Sequence, residues 1–126
     1  MNLTRQSHVK RCYKAVVNYC DQQPECGCLL VYDYFDKGKK QVGHIDVFYG
    51  EHASRIANVE VSKEFRRQGI ATTMLADIVK DMRNDLHPSI KKLVASPNND
   101  SVNILKKLGF HAPECDRNEW VLKVKI

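Results

Sequence analysis

Arg66-Arg67-Gln68-Gly69-Ile70-Ala71-Thr72 carries the residue types most suited to chemistry in this chain. It follows Val59-Glu60-Val61, whose β-branched residues alternate with a polar one and read as the end of a strand. After it Met74, Leu75, Ile78, Val79 and Met82 recur at helical spacing with one apolar stripe. The segment is therefore a strand, a glycine-bearing turn and a helix start. The first N–H groups of a helix have no partner within it and carry partial positive charge, which suits an anion. Gly69 and Ala71 keep bulk away, so a phosphate can approach the main chain. Arg66 and Arg67 add positive charge beside it. The same residues also fit an ordinary strand-to-helix turn with a solvated basic loop.

The elements that must position this loop can be read along the chain. Val9, Cys12, Tyr13, Val16, Val17 and Cys20 predict a helix over 4–20, stopped at Pro24. Cys28 to Phe35 and Gln41 to Tyr49 predict a hairpin around Asp36-Lys37-Gly38-Lys39-Lys40. Arg55 to Val61 is expected as a third, antiparallel strand that leads into the loop. The helix from Gly69 is expected to end near Asn84. Ile90 to Ser96 then forms a strand parallel to the one before that helix. Val102, Leu105 and Leu108 give a short helix stopped by Gly109. Phe110 opens an extended stretch, and Glu119 to Ile126 alternates as the last strand. The fold class expected is α+β, a mostly antiparallel sheet with one parallel step.

Two motifs in this order resemble the GNAT superfamily of N-acetyltransferases. The first is Arg66-x-x-Gly69-x-Ala71 after a strand. The second is Asn98 in a loop followed by Lys107-Leu108-Gly109-Phe110 at the end of a short helix. The resemblance covers roughly residues 41–126 and implies acetyl-CoA as co-substrate and an amine acceptor. It implies that the backbones of Val59 and Val61 pair with the pantetheine arm in a gap between splayed strands. The amides of Arg67, Gln68, Gly69, Ile70 and Ala71, with the Thr72 hydroxyl, would hold the pyrophosphate. Asn98 would bond toward pantetheine, and Arg66 or Arg67 would reach the adenosine phosphates.

The chain departs from that pattern in three ways. An N-terminal strand and a helix of the family are expected to be missing, near where acceptors bind. Leu105 stands where many members have a tyrosine that protonates the departing thiolate. Leu93 and Arg55 stand where some members carry carboxylate bases. Glu60 becomes the candidate general base, on the side of its strand opposite Val59 and Val61, alongside Asn58. If partly buried, its carboxylate would shift toward neutrality. A solvated strand carboxylate is the alternative. His44, Asp46 and His52 are further candidates, and Tyr49 could replace the missing phenol. Asp33, Asp36, Asp46 and Glu51 could form an acidic acceptor pocket.

Composition narrows the function classes. At 126 residues the chain is expected to form one domain, and 43% hydrophobic residues are enough for a core. No apolar run approaches the about 20 residues of a membrane span, and no signal-peptide core opens the chain. A cytoplasmic protein is expected. A net charge of +5 suits a polyanionic ligand. The basic pairs are dispersed and lack interleaved aromatics, which argues against a nucleic-acid surface. Five cysteines with no leader predict reduced thiols rather than a disulfide framework, and Cys26-Gly27-Cys28 lacks zinc spacing. The resemblance also allows pairing of two copies through sheet edges. A catalytically inactive member that binds CoA or a macromolecule is the competing reading.

Overall fold

The computed structural model describes residues 2–17, 22–66, 68–84, 89–97, 101–113 and 118–124. Six strands form one sheet in sequence order: β1 (Thr4–Val16), β2 (Pro24–Phe35), β3 (Gln41–Tyr49), β4 (Ala53–Val61), β5 (Lys92–Ala95) and β6 (Trp120–Lys123). Strands β1 to β4 are an antiparallel meander. Strand β5 lies parallel to β4, and β6 returns antiparallel to β5. Helix α1 (Ile70–Arg83) crosses from β4 to β5, and α2 (Val102–Leu108) joins β5 to the segment before β6. The expected α+β sheet with one parallel step is therefore present. His111 pairs with Val121, which extends the sheet beyond β6 as expected from Phe110.

Burial explains this arrangement. Ile70, Met74, Leu75, Ile78, Val79 and Met82 form the inward stripe of α1. They pack on Tyr32, Tyr34, Ile45, Val47 and Ile56 from the central strands, with Leu93, Leu105 and Phe110 completing the cluster. Both helices cover this one face. A side chain at Gly43 would lie 2.8 Å from the Met74 sulfur, so the glycine lets α1 sit close to β3.

The N-terminal segment overturns two expectations. Residues 4–16 are strand, not helix, so an N-terminal strand of the kind expected to be missing is present. The helical spacing arose because the pairing shifts between Val9 and Arg11. An extra residue at Lys10 changes which side later residues face, so a period of two mimics a period near four. Pro24 is the first residue of β2, a position where its missing N–H is tolerated. Strand pairing also sets Cys12 opposite Cys28, and the two form a disulfide. The expectation of reduced thiols, drawn from the cysteine count and the lack of a leader, fails for this pair because neither signal reports strand register. Cys26 is free and exposed, while Cys20 and Cys115 lie outside the described residues.

A polar network ties the edge strand to α1. The Arg5 guanidinium donates to Asp77 at 2.7 Å and to Asp81 at 2.6 Å, one helical turn apart on α1. The Tyr34 hydroxyl donates to the same Asp77 oxygen at 2.7 Å. The hydroxyls of Tyr32 and Tyr49 share a hydrogen bond at 2.5 Å. Burial raises the phenol of Tyr34, and the bond to Asp77 raises it further. Burial also raises Tyr49, aided by Tyr32, and raises Tyr32 itself. The folded chain therefore holds protons that the unfolded chain releases above about pH 10. Stability is predicted to be fully present below that pH and to fall as pH rises beyond it. Thermal melting across alkaline pH, followed with phenolate absorbance, checks this. These three phenols should ionise together with unfolding.

Candidate functional site

Strands β4 and β5 pair only from Ala53↔Lys92 to Ile56↔Ala95. Beyond Ile56, β4 runs on to Val61 with β3 on one side and no described strand on the other. The sheet is split there. A cleft of about 950 Å³ opens at the split. Its walls are Val59, Glu60 and Val61 of β4, Gly69 to Thr72 at the start of α1, and Ser101 and Ile104 at the start of α2.

The turn into α1 has the geometry its sequence suggests. Ser62 follows β4, with its N–H donating to the Val42 carbonyl at 2.8 Å. A short 3₁₀ turn (Lys63–Phe65) follows, and the Arg66 Nε donates to the Val61 carbonyl at 3.2 Å. Gly69 adopts φ 76°, and a Cβ there would meet nothing within 4 Å. The left-handed backbone, not crowding, selects glycine. No side chain caps α1, which leaves its first N–H groups beside the cleft. The first intrahelical bond runs from the Thr73 N–H to the Gly69 carbonyl at 3.0 Å.

Of the residues anticipated for the cofactor, Val59, Val61, Arg66, Gly69, Ile70, Ala71 and Thr72 line this one cleft. Gln68 instead lines a smaller neighbouring hollow with Asn2, Asp36 and Phe65. Arg67 and Asn98 lie outside the described residues. Ser101 and Ile104 escaped the sequence reading; their position just after the Asn98 loop was the available signal.

The candidates for acid–base work separate sharply. Glu60 faces away from Val59 and Val61 and accepts from Asn58 Nδ2 at 3.3 Å, as anticipated. Its side chain is 68% exposed, however, so the expected partial burial is absent. The strand there is at the sheet's free margin, and nothing described covers its outer face. His52 is exposed in the β3–β4 turn, away from the cleft walls. Tyr49 is buried under α1 against Tyr32 and does not line the cleft. Leu93 and Leu105 are core residues. Arg55 donates to the Val17 carbonyl at 3.0 Å and pairs with Glu119 at 2.9 Å, a clamp at the far end of the sheet.

Part of the acidic pocket does converge. On the sheet face opposite α1, His44 of β3 stands between Asp33 of β2 and Glu60 of β4. Its Nδ1 is 3.6 Å from Asp33, and its Nε2 is 3.6 Å from Asp46 and 3.9 Å from Glu60. Asp36 caps its own turn by accepting from the Lys40 N–H, and Glu51 is exposed at a distant turn. Among the described residues no cluster is set to hold a metal ion, and no helix is long and apolar enough to cross a membrane.

The acetyltransferase (GNAT) family profile matches residues 3–110, and the chain belongs to this family. The match begins at β1, further toward the N-terminus than the motifs alone reach. Three solved structures share the fold. The ribosomal-protein-S18-alanine N-acetyltransferase from Escherichia coli aligns with a TM-score of 0.62 at 14% identity, covering 78% of this chain and 70% of that one. Tetrahymena GCN5 aligns with a TM-score of 0.62 at 14% identity, covering 77% and 69%. A mutant of the toxin AtaT, bound to the C-terminus of the antitoxin AtaR and acetyl-CoA, aligns with a TM-score of 0.61 at 15% identity, covering 76% and 67%. No curated protein matches the sequence.

Gly69→Ala is predicted to destabilise the fold by about 1 kcal/mol through the left-handed backbone alone. Gly69→Asn should cost less, because asparagine tolerates that region. Urea unfolding of the two variants checks the order.

Proposed function

We propose that this protein transfers an acetyl group from acetyl-CoA to an amine. The observation that carries the reading is the unpaired edge of β4 facing the uncapped start of α1 across one cleft. An extended pantetheine amide chain is the kind of ligand that completes a free strand edge, at Val59 and Val61. A diphosphate is the kind that satisfies a helix start, here Gly69, Ile70, Ala71 and the Thr72 hydroxyl. Arg66 supplies a neighbouring cation, and Arg67, Gln68 and Asn98 are assigned the roles their motif implies. Acetyl-CoA is present in the AtaT structure of the same fold, which supports the same cofactor class here.

Three tasks remain once the thioester is held. The carbonyl must face the amine, the ammonium must lose a proton and the thiolate must be stabilised. Positioning is the main contribution of this scaffold. Glu60 lies on the cleft wall and attracts a protonated amine, and it is a candidate to take its proton. The two ends of the reaction differ in how well they are furnished. Carboxylates stand where the acceptor enters, while no tyrosine is among the described residues lining the cleft.

That missing phenol favours a second reading, a family member that binds CoA without turnover. Buried Leu105 and the engaged Arg55 belong to the same argument. The cell compartment proposed is the cytoplasm, where the Cys12–Cys28 bond would be open to reduction.

Calorimetry with acetyl-CoA and thiol release with a panel of amines, peptides and proteins separate the readings. Wild-type protein is predicted to bind and to turn over. Gly69→Glu places a carboxylate at the diphosphate position and should weaken binding at least tenfold, an expected cost of about 1.4 kcal/mol or more. Tight binding without release for any acceptor establishes the second reading, and absence of binding removes both.

A further inference from the structure

The group best placed to take the acceptor's proton is not on the strand that carries Glu60. We propose that His44 is the general base, with Asp33 as its positioning residue, and that the acceptor ammonium reaches it from the sheet face opposite α1. This rests on the acetyltransferase reading and names the acid–base machinery of the same cleft.

Three observations carry it. First, His44 lines the cleft beside Glu60, so its ring meets the same space that the thioester would enter. Second, the contact with Asn58 favours one tautomer. Asn58 Nδ2 lies 3.3 Å from His44 Nε2. With the Asn58 amide in this orientation its NH₂ donates, and Nε2 is then the accepting, unprotonated nitrogen. The ring proton is then on Nδ1, facing Asp33 Oδ1 at 3.6 Å. Gln41 Nε2 donates to that same oxygen at 2.9 Å and fixes the carboxylate. A ring held this way presents its lone pair to Asn58 Nδ2, a contact that the acceptor ammonium would replace. Third, an acceptor atom is left waiting. Asp46 Oδ1 is buried and has no hydrogen-bond partner, although it lies 3.6 Å from His44 Nε2. Leaving a buried acceptor unpaired is costly. Its partner is supplied when Nε2 takes a proton. Asp46 and, at 3.9 Å, Glu60 then face that proton.

The step balances without any further reagent. A proton passes from the R–NH₃⁺ nitrogen to His44 Nε2. The freed nitrogen lone pair forms the C–N bond at the thioester carbonyl carbon. The C–S bond breaks with its electron pair on sulfur, and the nitrogen's second proton ends on that sulfur as the free thiol. The imidazolium then gives its proton to solvent. The charged groups around the ring are Asp33 from β2, Asp46 on β3 and Glu60 from β4, with Lys63 and Arg66 elsewhere on the cleft wall. Three carboxylates against one imidazole select a cationic amine over a neutral or anionic acceptor.

Two nucleophiles test the assignment on the full chain. 1,4-Diaminobutane is protonated at neutral pH and needs a base, whereas hydroxylamine is already uncharged. His44→Gln is expected to lower kcat/KM for 1,4-diaminobutane by about 10²–10⁴-fold and to remove the acidic limb of its pH profile. The loss with hydroxylamine should be at least tenfold smaller. Equal losses for both nucleophiles overturn the proposal. Wild-type protein that acetylates neither overturns this proposal of a small cationic acceptor at His44, while turnover with a peptide or protein acceptor keeps the acetyltransferase reading. ¹⁵N spectra of the wild-type ring provide a readout independent of the variant's folding. A neutral ring protonated at Nδ1 supports the assignment, and one protonated at Nε2 overturns it.

Discussion

The parting of β4 from β5 is the constraint that organises this molecule. A strand that loses its neighbour in mid-course leaves backbone groups needing partners. Here the loss begins after Ile56, at the same place where β4 is irregular against β3: Asp46 pairs with Asn58 and Val47 with Ile56, with Ala57 left over. An extra residue of this kind bends a strand and increases its twist. The bend separates the strands, and α1 begins in the space that results. Gly69 sets the angle of that beginning, and the apolar stripe from Ile70 to Met82 holds the helix against the sheet.

The two faces of the sheet do different work. One is sealed by α1 and α2 over a continuous core, with Arg5 drawing β1 in through Asp77 and Asp81. The other has, among the described residues, a small apolar cluster at one end, where Val17, Leu29, Phe48 and Ala53 meet Tyr13 and Ala15. At its other end stand Asp33, His44, Asp46, Asn58 and Glu60. Among the described residues no helix lies over these polar groups.

What was legible in the sequence follows from how local each signal is. The turn into α1 could be read because strand alternation, a left-handed glycine and a helical stripe are all encoded within neighbouring residues. The parallel return of β5 followed from the helix between the strands. The N-terminal strand was hidden by one inserted residue, which converts alternation into helical spacing. The Cys12–Cys28 bond was hidden with it, since only strand register brings those residues face to face. Glu60 was read on the correct side of its strand, but exposure depends on what lies above the sheet, and that is not encoded near residue 60. The meeting of His44 with Asp33 and Glu60 joins three strands through register, and a pass along one chain does not reveal register.

The central claim is that the free edge of β4 and the opening turn of α1 together receive the thioester carrier. Backbone amide spectra recorded while acetyl-CoA is added test it most directly. The account predicts that the largest shifts fall on residues 57–61 and 69–72, with the outer strand β1 undisturbed. Shifts centred on β1, or none at saturating cofactor, would contradict it.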